Sequence, residues 1–178
     1  MKRRILSFAL ICMVMLLSFS FPTATAQVKA QTIAETDSLR FENMLNHNYL
    51  FGDDFNDINK VVDKSIIPLL DKRDGDFIRE DIVKSFVENM YDFDIEGYAP
   101  NTNAPLRDGY IFIMPMGYEN ISHKIISVSA NDLLYCVVSE ITFITHDGET
   151  ETATCETVFL ENQNSAFGYN IISANISE

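Results

Sequence analysis

One carboxylate stands out as a candidate for acid–base chemistry. Glu140 lies in the middle of an apolar run, between Val138 and Thr142. If its side chain were buried in a pocket, its pKa would rise and it could act as a general base. If it faces water, it is an ordinary strand residue. We favour this second interpretation because charged side chains are rarely buried without a partner.

Histidine and cysteine give little support for a metal site. His47, His123 and His146 are scattered along the chain with no pair at i, i+4 spacing, and no Cys-x-x-Cys motif is present. The sequence also has no nucleophile elbow, phosphate-binding glycine loop or dinucleotide fingerprint. We therefore predict no metal and no cofactor.

The first 26 residues have the features of a secretory signal peptide. Lys2-Arg3-Arg4 form a basic segment, residues 5–21 are mostly apolar, and Ala24-Thr25-Ala26 has the small-x-small pattern of a cleavage site. We expect cleavage after Ala26, a secreted or periplasmic protein, and a single domain at residues 27–178. No later segment is apolar enough to span a bilayer.

The charge of the remaining chain argues against two classes of partner. Three of the 13 basic residues and none of the 26 acidic residues lie before Gln27, so 10 basic and 26 acidic residues remain, a net charge of −16. Nucleic acids and anionic membranes bind basic patches, so we expect neither as a partner. The acidity favours solubility, and it would also suit a basic partner.

Two cysteines, Cys136 and Cys155, follow the signal segment. A two-residue Asp-Gly turn would pair His146 with Glu149, so that paired residue numbers add up to 295. In that register both cysteines lie on the face of Glu140, four residues or about 13 Å apart along the strand. A disulfide needs Cα atoms within about 7 Å, so we predict two free thiols.

Three amphipathic helices are predicted in the first half of the chain. The first is expected over residues 32–51, from a capping-box sequence at Thr32 to a stop at Gly52. The second follows the N-cap-rich stretch 53–57 and kinks or ends near Pro68, which disfavours a helical residue before it. The third is expected over residues 76–92, with a stripe of apolar residues at helical spacing.

The second half of the chain is predicted to form an antiparallel sheet. Asp147-Gly148 between two β-rich runs is a strong hairpin signal because the central residues of such a turn accept positive φ. Helices first and a meander last indicate an α+β fold, with about three helices packed on one face of a strongly curved sheet. The expected strands are 93–98, 110–114, 121–130, 133–146, 149–161 and 166–176.

Three segments carry a family resemblance. They are the aromatic and acidic turn at 48–55, the loop into the third helix at 66–86, and the long Asp-Gly hairpin with its closing strand at 167–172. On these segments the chain resembles the nuclear transport factor 2-like superfamily, with its SnoaL-like and ketosteroid-isomerase-like branches, and looks like one of its secreted bacterial members. The resemblance implies a cystatin-like, cone-shaped α+β domain with a pocket between helices and sheet.

The same resemblance implies candidate site residues. Enzymes of the superfamily place a carboxylate base in the pocket, often beside a tyrosine or a histidine. It therefore implies Glu140 or Asp71 as the base and Tyr49 or His123 as the second group, for a reaction of the isomerase or dehydratase type. No motif around these residues requires the assignment. The aromatic candidates for ligand binding are Tyr49, Phe86, Tyr135 and Phe143.

Fold and function are separate questions, because this fold hosts many activities. We predict a non-catalytic binding or interaction domain that holds a small apolar ligand in the cone pocket or docks a protein partner on the sheet face. A homodimer is one form such docking could take. The alternative is a pocket enzyme with a carboxylate base, and an interior filled by side chains such as Tyr135 would exclude it.

Overall fold

Within the part of the chain that the structure describes, three α-helices precede the large sheet. The computed structural model describes residues 35–100, 104–113, 120–144 and 148–177. The predicted signal segment, the predicted helix start at Thr32 and the His146-Asp147 part of the hairpin turn lie outside these residues. The helices are α1 (Glu35–Asn46), α2 (Ile58–Ser65) and α3 (Glu80–Tyr91), with 3-10 helices at Gly52–Asn56 and Ile67–Lys72.

The strands form two antiparallel sheets. A small sheet pairs β1 (Phe77–Arg79) with β2 (Tyr110–Phe112). The large sheet is a meander in the order β3-β4-β5-β6, which confirms the predicted α+β class. Its strands are β3 (Asn120–Asn131), β4 (Leu134–Ile144), β5 (Thr150–Glu161) and β6 (Tyr169–Ser177).

The register of the β4–β5 hairpin differs from the prediction by one residue. Ile144 pairs with Thr150 and Cys155 pairs with Ser139, so paired numbers add up to 294. Five residues lie between Ile144 and Thr150, the last residues to pair, instead of the two of the predicted turn. Because side chains alternate between faces, a one-residue shift moves all of β5 to the other face. Cys136 and Cys155, both free, therefore lie on opposite faces of the sheet.

The inner face of the large sheet is the odd-numbered face of β4. Val137, Ser139 and Ile141 are fully buried, whereas Glu140 between them is exposed. Cys155 lies on the inner face beside Ser139. The prediction that Glu140 and Cys155 share a face was wrong because the predicted register was shifted by one residue.

Aromatic rings fill the space between α1 and the inner face. The ring centroid of Phe41 lies 4.7 Å from that of Phe159, 4.8 Å from that of Tyr169 and 5.5 Å from that of Tyr135. Phe41 and Phe159 are completely buried. Aromatic pairs at such distances add to the stabilisation from burial, so this part of the interior is a packed core.

Helix α1 ends earlier than predicted because of Asn48. The side chain of this buried residue accepts hydrogen bonds from Leu50 N, at 3.2 Å, and from the Tyr91 hydroxyl, at 3.1 Å, and its amide donates to Leu50 O at 3.1 Å. An asparagine that bonds the nearby backbone in this way competes with the helix. Residues 47–51, which follow α1, are therefore not helical.

Helix α3 begins later than predicted, because Phe77–Arg79 pairs with β2 instead of extending the helix. The Phe77 and Phe112 rings stack edge to face at 5.6 Å across that pair. The helix ends at Asp92, whose φ of 58° is the left-handed conformation that closes many helices. Residues 93–98 form no strand; they are an irregular segment after α3.

Candidate functional site

The inner face of the large sheet carries a buried polar pair. His123 is 5% exposed, and its Nδ1 lies 2.9 Å from Oγ of Ser139, which is completely buried. The backbone N–H of His123 donates to the Asn46 side chain of α1 at 2.9 Å. Ser139 Oγ lies 3.5 Å from the Cys155 carbonyl oxygen. The pair thus ties β3, β4 and β5 to the end of α1.

Burial determines the charge of this histidine. It lowers the pKa of His123 from 6.5 to about 4, so the ring is neutral at neutral pH. When the Ser139 hydroxyl donates to Cys155, His123 Nδ1 carries the ring hydrogen and Nε2 is an acceptor. Nε2 is buried and has no hydrogen-bond partner among the described residues. The pair can accept one hydrogen bond at this atom.

The two candidate carboxylates do not join this pair. Glu140 lies on the outer face of β4, opposite Lys124 and Thr154, and is exposed. Asp71 is also exposed, and a hydrogen bond from Lys72, at 2.5 Å, lowers its pKa, whereas a general base at neutral pH needs a raised one. The convergent set implied by the family resemblance is absent from the described residues.

The aromatic candidates occupy separate places. Tyr135 is part of the packed core and lies 5.3 Å from Tyr169. Phe143 meets Phe51 edge to face at 6.5 Å. Tyr49 is half-buried, and burial raises the pKa of its hydroxyl. Of the four, Phe86 is the candidate that lines one of the surface clefts described below.

A second polar pair was missed from the sequence. The Tyr98 hydroxyl donates to Asp63 Oδ1 at 3.2 Å, and burial raises the pKa of Asp63. The two residues are separated by 35 positions, and neither lies in a recognisable motif. Tyr98 lines a small recess of about 170 Å³ beside β2. Asp63 and Tyr98 fix the segment after α3 onto α2.

Two clefts lie along α3 and share Asn89 as a lining residue. One has a volume of about 410 Å³ and the other about 470 Å³. One wall consists of residues 81–94, which comprise α3 and the start of the following segment, and the other consists of residues 162–167 of the β5–β6 loop. We call the two clefts together the α3 groove.

Asn89 holds the two walls together. Its side-chain oxygen accepts the Ala166 N–H at 2.6 Å, and its carbonyl oxygen accepts from Asn170 Nδ2 at 2.8 Å. Ser165 Oγ lies 2.7 Å from the same carbonyl oxygen. Asn170 is completely buried. These bonds fix the loop against the helix, so the groove exists before any partner arrives.

Replacing Asn89 by alanine should loosen the contact between the β5–β6 loop and α3. We expect a loss of about 1–2 kcal/mol in the free energy of unfolding, because the Ala166 N–H loses its acceptor. Amide hydrogen exchange should accelerate at Ala166. Asn89→Asp keeps the acceptor oxygen and should leave Ala166 protected. Equal protection of Ala166 in Asn89→Ala and in the wild-type protein would contradict the role given to Asn89.

The lining of the groove combines apolar rings with acidic groups. Ile82, Phe86, Phe93 and Phe167 are half-buried and contribute apolar surface. All charged lining residues are acidic: Asp81, Glu88, Asp92 and Asp94. The sequence indicated Phe86 as a candidate for ligand binding, but no pattern in it brought α3 and residues 162–167 together.

Two further observations concern the described residues. None of their histidine, cysteine, aspartate and glutamate side chains form a group of three or more that could hold a metal ion. Their helices are all too short or too polar to cross a membrane.

Comparison with known proteins gives one structural likeness. No protein-family model and no curated protein matches the chain. A solved structure of a designed nuclear transport factor 2-like protein, a variant of Rd1NTF2, is 15% identical, with 80% of this chain and 99% of that chain covered and a TM-score of 0.35. Similarity at this level has no bearing on the function of this chain.

Proposed function

We propose that this protein is a non-catalytic binding domain and that its partner docks in the α3 groove. One observation carries the proposal: the space between α1 and the sheet is filled by aromatic rings, whereas the groove is open and its walls are held by Asn89. A pre-formed site binds without the cost of ordering its own loop. The binding site is thus on the surface of the domain and not inside it.

The positions of the candidate acid–base groups argue against a pocket enzyme. A general base must come within hydrogen-bond reach of the atom from which it takes a proton, beside a second polar group. Glu140 lies on the outer face of the sheet and His123 on the inner face. Asp71 is exposed and paired with Lys72. These carboxylates and His123 therefore do not share a pocket.

The outer sheet face is the competing docking surface. It carries exposed apolar side chains, including Leu134 and Ile172, which are 40% and 44% exposed. Isolated exposed apolar residues are common on protein surfaces. We favour the α3 groove because it is concave, and concave sites bury most of a ligand.

The test is to map where an apolar probe binds. The purified protein would be titrated with the neutral dye Nile red while its backbone amide shifts are followed by NMR. We expect shifts at residues 82–93 and 162–167, and weaker binding in Ala166→Trp, in which a large side chain fills the groove. Shifts centred on Leu134 and Ile172, or on the packed core around Phe159, would contradict the proposal.

We also propose that the protein is exported and is a secreted bacterial member of the nuclear transport factor 2-like superfamily. The basic, apolar and small-residue segments within residues 1–26 support export. The intact mass of the protein recovered from outside the cytoplasm should correspond to a chain that begins at Gln27. A mass that retains residues 1–26 would contradict this.

A further inference from the structure

The α3 groove has a charge pattern that specifies its partner more narrowly. We propose that it takes a basic, amphipathic peptide segment of another protein, with apolar side chains in the groove and lysine or arginine along its edge. This inference rests on the proposed function, because it names the occupant of the same groove. Its support comes from the charges, the apolar lining and the length of the site.

Negative charge in the groove is only partly neutralised. Asp92 has no ion-pair partner within 4.0 Å among the described residues. Glu88 and Asp94 share one cation, Lys84, whose Nζ lies 3.8 Å and 3.6 Å from their oxygens. These distances exceed a normal hydrogen bond, and the three side chains are about half exposed.

Such weak pairs leave room for a basic partner. Exposed ion pairs contribute little to stability, so a lysine or arginine of a partner can replace Lys84 at little cost. Acidic groups along a concave site also attract a cationic partner and speed its encounter. The charge therefore favours a basic occupant over a neutral or an acidic one.

Because part of the groove lining is apolar, the partner must present apolar side chains as well as positive charge. Ile82 and Phe86 are one helical turn apart on α3, and Phe167 faces them from the loop. Their half-buried side chains offer apolar surface to a partner's leucine or phenylalanine. From Asp81 to Asp92 α3 is about 17 Å long, so a partner segment of about three helical turns would cover both clefts. A simple cation would leave this surface uncovered.

A second copy of the same chain is a poor occupant. Each copy has 26 acidic and 13 basic residues, so two copies repel each other at low salt. The expected partner is therefore a different protein with an excess of basic residues in the docking segment.

The experiment compares designed peptides on the full protein. The first probe is a labelled amphipathic helix of about three to four turns, with leucine on one face and lysine on the other. The second has glutamine in place of every lysine, and the third has the composition of the first in an order without an apolar face. Binding is measured by fluorescence anisotropy at low and at high salt.

Two groove variants and one control separate the contributions. Glu88→Gln/Asp92→Asn/Asp94→Asn removes three groove charges with almost no change in shape, and Asn is tolerated in the left-handed conformation of residue 92. Ala166→Trp fills the groove and keeps the charges. The control, Asp53→Asn/Glu140→Gln/Glu151→Gln, removes three exposed charges elsewhere. Circular dichroism and thermal unfolding show that each variant is folded.

We expect the leucine–lysine peptide to bind best. Its affinity should fall at least about tenfold in each groove variant, change by less than about twofold in the control, and weaken with salt. Equal weakening in the triple groove variant and the control would mean attraction to general acidity, and would overturn the inference. So would tight binding of the peptide without an apolar face, or no binding of any peptide.

One outcome separates this inference from the function on which it rests. If the glutamine peptide binds as well as the lysine peptide, and Ala166→Trp weakens it while the triple groove variant does not, the groove is a binding site without a charge preference. The proposed function would then stand and the basic partner would be wrong. If no peptide responds to Ala166→Trp and the dye does not bind in the groove, both proposals are overturned.

Discussion

Replacing Phe41 by alanine is expected to lower the free energy of unfolding by about 3–5 kcal/mol. The ring is completely buried and contacts the rings of Phe159, Tyr169 and Tyr135. Its removal takes away burial and leaves a space that rigid neighbouring strands can close only in part. The same space should make the variant, unlike the wild-type protein, bind a small apolar molecule such as benzene, since engineered apolar cavities of this kind remain dry and accept such ligands.

Urea unfolding with and without benzene would measure both effects. Leu39→Ala is the matched control, because Leu39 lies on the same helix but is 61% exposed, and its replacement should change stability by less than about 0.5 kcal/mol. Benzene should stabilise Phe41→Ala and leave the wild-type protein unchanged. Stabilisation of the wild-type protein by benzene would mean that the interior already holds an open pocket, and would weaken the case for a surface site.

The α+β class could be predicted from the sequence because it depends on local patterns. The four strands of the large sheet lie within a few residues of their predicted bounds, since Val-, Ile- and Thr-rich runs between turn residues favour strands wherever they pack. The register used to argue for two free cysteines was wrong, because it placed Cys136 and Cys155 on one face of the sheet.

The sequence could not show which residues of β4 and β5 pair, and so it could not show which of their side chains share a face of the sheet. A hairpin loop of two residues and one of five are both compatible with an Asp-Gly turn, yet they place Cys155 on different faces of the sheet. Glu140 was the leading carboxylate because the predicted register put it beside both cysteines. The observed register puts it on the outer face, away from Cys155. The one-residue difference in register thus moved Cys155 to the face opposite that of Glu140.

Contacts between distant segments explain the other differences. Asn48 ends α1 partly through Tyr91, 43 positions away, and Phe77 becomes a strand residue because Phe112 pairs with it. Asn89 joins α3 to Ala166, 77 positions away, and so builds the groove. A window along the sequence shows only local propensity, so the groove could be found only once the chain was folded.

Lowering the pH is expected to reduce the stability of the protein through His123. Its pKa is lowered from 6.5 to about 4 by burial, so between these values the unfolded chain binds a proton that the folded protein does not. Stability is therefore fully present above about pH 6.5 and falls as the pH drops towards 4. At about 1.4 kcal/mol per pKa unit, this histidine accounts for a loss of about 3 kcal/mol. The physical reason is that protonation would place a charge and an N–H without an acceptor at the buried Nε2.

Urea unfolding at several pH values would isolate this contribution. In His123→Asn a side chain that does not titrate can still contact Ser139, so the loss of stability between pH 6.5 and 4 should shrink by about 3 kcal/mol, leaving what the carboxylates contribute. His47→Gln is the matched control for the loss of a histidine, because His47 is exposed just after α1 and its replacement leaves the His123–Ser139 pair in place. Parallel profiles for His123→Asn and the wild-type protein would show that His123 is not the group that titrates. The loss of stability in acid would then come from carboxylates alone, and the neutral, acceptor state assigned to His123 Nε2 would have to be abandoned.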